Sequence, residues 1–80
     1  MTIDKLQSPL RVGLSGREAE VLSLIAGGLT SREIAGRLRL SMSTIRTHIE
    51  HARTKLDART QAQAVAQALS AGLIRIRPAA

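Results

Sequence analysis

The chain has 80 residues, no cysteine and no aromatic residue, so we expect one small domain with an aliphatic core and neither a disulfide nor a cysteine-ligated metal. Twelve basic residues against six acidic ones give a net charge of +6, which indicates a polyanionic partner or an anionic membrane. No segment pairs a basic face with the bulky apolar face needed for membrane insertion, and readers of RNA or single strands usually stack bases on aromatic rings, so double-stranded DNA is the favoured partner.

The N-terminal segment shows no sign of a helix or of a targeting signal. Residues 1–13 have no sustained period, contain Ser8-Pro9 and end on Gly13, so we interpret them as a tail or linker remnant. The longest apolar stretch, Val21 to Leu29, is far too short to span a membrane. The expectation is a soluble, cytoplasmic protein without membrane association.

The first helix is predicted from about Gly16 to Ala26. Ser15 and Glu18 have the spacing of a capping box, in which each side chain binds the backbone N–H of the other residue. The apolar positions that follow are wider than one stripe, which is consistent with a helix packed on two sides, and Gly27-Gly28 ends it. A phosphate-binding loop is disfavoured because the Gly-Lys-Ser/Thr signature is absent.

A second, short helix should begin at Thr30, which repeats the capping-box spacing with Glu33. Its apolar residues are Ile34, Ala35 and Leu38. Only three residues, 39–41, separate it from the next helical pattern. Such a tight turn before a basic amphipathic helix predicts a helix-turn-helix unit, although an ordinary αα-hairpin would have the same turn.

The segment Ser41 to Leu56 indicates a helix with a core face and a polar face. On a helical wheel, one side carries apolar residues: Met42, Ile45, Ile49, Ala52 and Leu56. The opposite side carries short polar groups with cations beside them: Ser43, Thr47, Glu50 and Thr54, flanked by Arg46 and Arg53 and by Thr44, His48 and Lys55. This pattern suits a helix in the major groove, but it is also typical of a solvated helix surface.

The last helix should begin at Thr60, which has capping-box spacing with Gln63, and should end near Gly72. We assign its core stripe to four positions: Ala62, Val65, Ala66 and Leu69. A second strip of small residues is predicted to pair two copies of the chain: Ala64, Ala68 and Ala71. The alternative is that these alanines reflect helix propensity alone. Residues 75–80 should form a C-terminal tail.

From Leu14 to Ile74 the sequence resembles the DNA-binding domain of LuxR/GerE-type transcriptional regulators. The resemblance rests on LSGREAEVLSLIAGGLTSREIAGRLRLSMSTIRTHIEHARTKL followed by ARTQAQAVAQALSAGLI. It implies an all-α domain at 14–74, a four-helix bundle whose third helix, about 42–56, is the recognition helix. Arg39 departs from the family where glycine is usual, and Asp57 where glycine or asparagine is common. Keeping a left-handed backbone at Arg39 would cost about 1 kcal/mol; the alternative is a slightly different turn.

The resemblance also implies roles for individual residues. Arg46, Thr47 and Glu50 are similar to the family's base-facing residues, Arg46 matching guanine and Glu50 a cytosine amino group. For Glu50 the alternative is an ion pair with Arg53. Phosphate contacts are expected at two helix N-termini and at one lysine, the hydroxyl groups serving also as caps: Thr30, Ser31, Ser43, Thr44 and Lys55.

Two further groups of residues could suggest a functional site, and for each the expected role is a different one. Glu18 and Leu22 match strong family positions and are expected to cap the first helix and fill the core. His48, Glu50 and His51 include a carboxylate that points away from the two histidines, so we expect no metal site, no cofactor and no catalysis.

The first functional hypothesis is a sequence-specific transcriptional regulator that binds an inverted-repeat operator as a homodimer. The alternative is a protein-interaction module of the same fold that binds a partner regulator or RNA polymerase, with weak affinity for DNA. A third hypothesis, sigma-factor region four, gives no reason for an alanine-rich last helix. Eighty residues leave no room for a receiver or ligand-binding domain, so we expect a stand-alone regulator or an excised domain.

Overall fold

The chain folds into four helices joined by short turns. A computed structural model describes residues 13–76, which form α1 (Gly16–Ala26), α2 (Ser31–Leu38), α3 (Met42–Lys55) and α4 (Gln61–Ser70), with no strand in that range. The all-α prediction and the helix-turn-helix formed by α2 and α3 are confirmed. Most of the predicted tail 1–13, and residues 77–80, lie outside the described residues. No described helix is long and apolar enough to cross a membrane.

The first two helices begin with the capping boxes that the sequence predicts. At α1 the Glu18 N–H donates to Ser15 Oγ at 3.1 Å, and the Ser15 N–H donates to Glu18 Oε1 at 2.9 Å. At α2 the same exchange joins Thr30 and Glu33, at 3.1 and 2.8 Å. Each box satisfies backbone donors that the first helical turn leaves without intrahelical partners.

The third predicted capping box forms only in part. The Gln63 N–H donates to Thr60 Oγ1 at 3.0 Å, as expected. The Gln63 carboxamide, however, accepts from the Arg59 N–H at 2.6 Å, one residue before the expected donor. The longer reach still closes the turn that enters α4.

The core consists of two clusters that meet along α1. The first core cluster lies between α1, α2 and α3 and comprises Val21, Leu24, Leu29, Ile34, Ala35, Ile45 and Ile49. The second core cluster joins α1 to α3 and α4 and comprises Leu22, Ala52, Ala68 and Ile74. Adjacent residues of α1 therefore face different clusters, which confirms that this helix packs on two sides. Since α3 contributes to both clusters, its orientation is fixed along most of its length.

The sequence assigned the faces of α4 correctly only in part, since Val65 and Leu69 pack against the second core cluster as predicted. Ala64 and Ala68, predicted to pair two copies of the chain, are fully buried within it, and Ala68 packs in the second core cluster. Ala62 and Ala66, predicted as core, are exposed. Alanine occurs on both the inward and the outward side of α4, so its pattern gives no core direction. The small side chains of Ala64 and Ala68 on the inward side let α4 approach its neighbours closely. Ala71 is exposed, just past the end of α4.

Two non-glycine residues with left-handed backbones bracket α3. Arg39, after α2, has φ 59°, and Asp57, after α3, has φ 53°. The first value confirms that Arg39 keeps the conformation for which the family commonly uses glycine. Most side chains are strained there because Cβ crowds the neighbouring carbonyl, whereas Asp tolerates the conformation better.

A buried carboxylate ties α1 to the last turn of α3. The Glu18 side chain is 5% exposed, and its Oε1 accepts from Lys55 Nζ at 2.8 Å as well as from the Ser15 N–H. Burial by itself raises the pKa of Glu18, but the hydrogen bonds from Lys55 and Ser15 outweigh it, so the net pKa is lowered. The prediction that Glu18 caps α1 is confirmed. Its bond to Lys55 also links α1 to α3, through two residues that are 37 positions apart in the sequence.

We expect Arg39→Gly to raise the free energy of unfolding by about 0.5–1 kcal/mol, because glycine removes the Cβ strain at φ 59° while adding some entropy to the unfolded chain. Urea denaturation followed by circular dichroism measures the change. Arg39→Ala is the matched control, since it removes the same charge but retains Cβ. An equal gain in both variants would show that charge, rather than backbone strain, limits stability at this turn.

We expect Lys55→Gln to lower the free energy of unfolding at pH 7 by about 1–2 kcal/mol, less than for a fully buried pair because Lys55 is partly solvated. The lowered pKa of Glu18 means that the bond contributes stability above the ordinary glutamate pKa, about 4.3, and loses it as the pH falls through the folded value.

The difference between wild type and Lys55→Gln should therefore shrink in urea titrations below about pH 4.3. The double variant Glu18→Gln/Lys55→Gln, which buries no unpaired charge, should be more stable at pH 7 than Lys55→Gln. A loss that is the same at neutral and acid pH would show that Lys55 stabilises by packing alone.

Candidate nucleic-acid interface

The third helix presents one face to the core and the other to solvent, as its periodicity predicts. Ile45, Ile49 and Ala52 are buried, and Met42 and Leu56 pack against the two clusters. The polar positions that the sequence places opposite are exposed: Ser43, Arg46, Thr47, Glu50 and Thr54. The three predicted base-facing residues thus lie together on one accessible surface.

Arg46 and Thr47 differ in which hydrogen-bonding groups they offer. Arg46 is exposed and forms no hydrogen bond or ion pair within residues 13–76, so its planar set of N–H donors is available. Thr47 is exposed too, but its hydroxyl donates to the Ser43 carbonyl oxygen at 3.0 Å. With its hydrogen committed to the backbone, the Thr47 oxygen can only accept a bond from an outside group, beside a methyl group that can contact apolar atoms.

Glu50 forms the ion pair with Arg53 that the sequence offered as its alternative role. Arg53 Nε donates to Glu50 Oε1 at 3.2 Å, and Arg53 Nη2 donates to Oε2. The Arg53 hydrogen bonds hold the pKa of Glu50 below its ordinary value, and Glu50 in turn raises the pKa of Arg53. Glu50 remains 58% exposed, so the pair leaves its carboxylate open to a further donor.

The N-terminus of α3 collects short hydroxyl side chains and no acid. The Ser41 oxygen accepts from the Thr44 N–H at 3.1 Å, and its hydroxyl lies 2.9 Å from Thr44 Oγ1 and 3.1 Å from Ser43 Oγ. Ser41 is therefore the cap of α3, whereas the sequence analysis had given the capping role to Ser43 and Thr44. The hydroxyl of Thr44 accepts from Ser41 and retains its own hydrogen for an outside acceptor, next to the positive end of the helix dipole.

The N-terminus of α2 is a weaker anion site. The Thr30 hydroxyl is within 3.2 Å of Glu33 Oε1, to which it donates, and its oxygen accepts from the Glu33 N–H. The Glu33 carboxylate also places a negative charge in the first turn. Of the two positions predicted to bind phosphate here, Thr30 has its side chain occupied by capping, and Ser31 is half-buried without such a bond.

Three side-chain bonds that sequence reasoning missed fasten the C-terminal end of α3. Lys55 reaches Glu18, as described above; Arg53 Nη1 donates to the Ala58 carbonyl oxygen at 2.8 Å; and Gln67 of α4 donates to the Leu56 carbonyl oxygen at 2.8 Å. A periodic pattern shows which residues share a face but not which distant groups meet, so only the Glu50–Arg53 spacing gave a local signal. Lys55 thus has an intrachain partner, and a phosphate contact by it stays a prediction.

The two histidines of α3 do not belong to a metal-binding group among the described residues. His51 Nδ1 is 3.9 Å from Glu18 Oε2, at the edge of ion-pair distance, and 61% of the His51 side chain is exposed. Across residues 13–76, no three histidine or carboxylate side chains are grouped as a metal site.

Comparison with known proteins identifies relatives among bacterial response regulators. The response regulatory protein YgeK of Escherichia coli K12 is 41% identical over 63 residues, which cover 79% of this chain and 43% of YgeK. The response regulator VraR of Staphylococcus aureus is 35% identical over 71 residues, which cover 89% of this chain and 34% of VraR. The chain therefore spans less than half the length of these relatives.

Solved structures share the same fold. The Vibrio cholerae VqmA dimer, a LuxR-type receptor, superposes with a TM-score of 0.74 at 29% identity, covering 85% of this chain and 30% of VqmA. The phage VqmA–DPO complex gives 0.75 at 33% identity, covering 94% of this chain and 34% of that one. The model of the luxR family matches residues 12–68, well over half of the chain. The chain therefore belongs to the luxR family of bacterial regulatory proteins and has the fold of its helix-turn-helix DNA-binding domain.

Proposed function

We propose that the chain regulates transcription by binding a specific double-stranded DNA sequence, with α3 as the recognition helix in the major groove. The observation that carries the proposal is the exposed face of α3, where Arg46, a donor with no partner among residues 13–76, lies beside two acceptors, Thr47 and Glu50. Base edges in the major groove present both donors and acceptors, so such a face can distinguish sequences. Family membership supports the same function.

Phosphate contacts would position α3 in the groove. The first turn of α3 is the best candidate, because it has no acid, offers the Thr44 hydroxyl and lies at the positive end of a helix dipole. Contacts from Ser43 and Ser31 are compatible with their surroundings. Thr30 would contribute through its backbone and not through its occupied hydroxyl. Lys55 would contact phosphate only while sharing its charge with Glu18.

Dimerisation on DNA is the second part of the proposal. The pairing surface proposed here is a different face of α4 from the one that the sequence predicted. The burial of Ala64 and Ala68 leaves an outer strip of small residues at i, i+4 and i+8, namely Ala62, Ala66 and Ser70, all exposed. Two copies paired along this strip would present two recognition helices related by a two-fold axis, and would bind an inverted repeat with half-sites about one helical turn apart. VqmA, a structural neighbour, is a dimer.

Arg46→Ala should weaken binding to a duplex selected from a random pool by about 1–3 kcal/mol, while changing the affinity for random duplexes little, because a bidentate contact to guanine is lost. Fluorescence anisotropy with labelled duplexes at fixed salt measures both affinities. Arg46→Lys keeps the charge but not the planar pair of donors, so it should retain random binding and lose most of the discrimination. If Arg46→Ala weakens binding to both duplexes equally, Arg46 contacts phosphate and not a base.

Ala66→Glu should abolish cooperative occupation of an operator with two half-sites and spare binding to one half-site, because two like charges would face each other in the dimer. Gel-shift titrations of duplexes with one and with two half-sites give the cooperativity. Gln61→Glu, an exposed change on the opposite flank of α4, adds the same charge and should leave cooperativity intact. If Ala66→Glu still fills both half-sites cooperatively, the dimer surface lies elsewhere.

A further inference from the structure

Arg53 connects the base-facing surface of α3 to the turn before α4. Two of its nitrogens, Nε and Nη2, donate to the two carboxylate oxygens of Glu50 in a fork. A third, Nη1, donates to the Ala58 carbonyl oxygen at 2.8 Å, in a turn whose Ala58 side chain is buried. The guanidinium is thereby held at both ends, and its 30% exposure is lower than the 58% of its partner.

This arrangement fixes the position and the chemistry of the Glu50 carboxylate. A free glutamate on a helix surface samples several rotamers, whereas a forked guanidinium anchored to the backbone selects one. Each carboxylate oxygen gives one acceptor site to Arg53 and has a second one free. Because the carboxylate stays ionised beside Arg53, the free sites accept hydrogen bonds and cannot donate them.

Only some base edges can serve such a group. Guanine offers two acceptors in the major groove and thymine one, and each would repel a carboxylate. Adenine offers an amino donor with the N7 acceptor beside it, whereas the edge of cytosine offers its N4 amino group alone. The charge of Arg53 also offsets the repulsion between Glu50 and the DNA phosphates, which would otherwise oppose the approach of an acid.

We propose that Arg53 is a positioning residue for sequence specificity, holding Glu50 to accept a hydrogen bond from the N4 amino group of a cytosine in each half-site. This inference rests on the proposed DNA-binding function and extends it by naming a base and a residue that acts through Glu50. Arg53 itself contacts no base.

The first arm of the test asks whether Glu50 accepts a hydrogen bond from the amino group of a cytosine. The wild-type chain selects its duplex from a random pool, and each cytosine of the half-site is then replaced in turn by pyrimidin-2-one deoxyriboside, which lacks the 4-amino group. At one position the replacement should weaken wild-type binding about tenfold. For Glu50→Ala the same replacement should change affinity by less than about twofold, since the interaction is already absent. If no cytosine shows a penalty that depends on Glu50, the proposal is overturned.

The second arm tests Arg53 through a ratio of affinities. In Arg53→Gln the penalty for removing the amino group should fall from about tenfold to below about threefold. The reason is that Glu50 loses the paired hydrogen bonds from the guanidinium that hold its carboxylate in place. A merely structural role would weaken binding to both duplexes alike and leave the ratio at about tenfold, which would overturn the positioning role. Arg53→Lys, which keeps the charge but not the fork, should reduce the ratio similarly and retain more of the general affinity.

Circular dichroism of each variant establishes that the duplexes are titrated with folded protein. If Arg53→Gln does not fold, Arg53→Lys supplies the ratio of affinities.

Different outcomes would contradict the proposed function and the role of Arg53. If no duplex is enriched over the random pool, the proposed function and this inference fall together. If a duplex is enriched and its binding depends on Arg46, but no cytosine couples to Glu50, the DNA-binding function stands and the role of Arg53 is wrong.

Discussion

The buried carboxylate of Glu18 is the constraint on which the arrangement of the domain depends. A carboxylate taken out of water must be hydrogen-bonded or protonated, and Glu18 is bonded to the start of its own helix through Ser15 and to α3 through Lys55. One charged group thereby defines where α1 begins and how far the last turn of α3 lies from it. The two core clusters then pack on either side of α1, and their packing sets the tilt of α3.

Different interactions hold the two halves of α3 in place. Its C-terminal half is fastened by ionic and polar bonds from three directions, through Lys55, Arg53 and Gln67. Its N-terminal half is held from below by Ile45 and Ile49, with Arg46 outside and unbonded within the described residues. Apolar packing holds this half from its buried side and leaves the Arg46 guanidinium available for the proposed contact with DNA.

Local patterns in the sequence predicted most of the fold, whereas contacts between residues far apart in the sequence could not be predicted. Capping boxes such as Ser15–Glu18, and the alternation of faces in α3, depend on neighbouring residues and so appear in one sequence. In α4 the core positions Val65 and Leu69 were predicted correctly, but its alanines were assigned to the wrong faces because alanine marks no direction. Within the site, the shared face of Arg46, Thr47 and Glu50 followed from helical spacing. The bond from Lys55 to Glu18 did not, because nothing local relates residues 37 positions apart.

The left-handed residues Arg39 and Asp57, at either end of α3, have a consequence for the entropy of binding. A residue with a Cβ occupies a narrow left-handed well, whereas glycine ranges over a broad region of positive and negative φ. Both turns that flank the helix are therefore stiff, and little conformational freedom would be lost in them if the helix entered a groove, as proposed. The strain at Arg39 lowers the stability of the free domain, while the same stiffness favours association by preorganising the surface that binds.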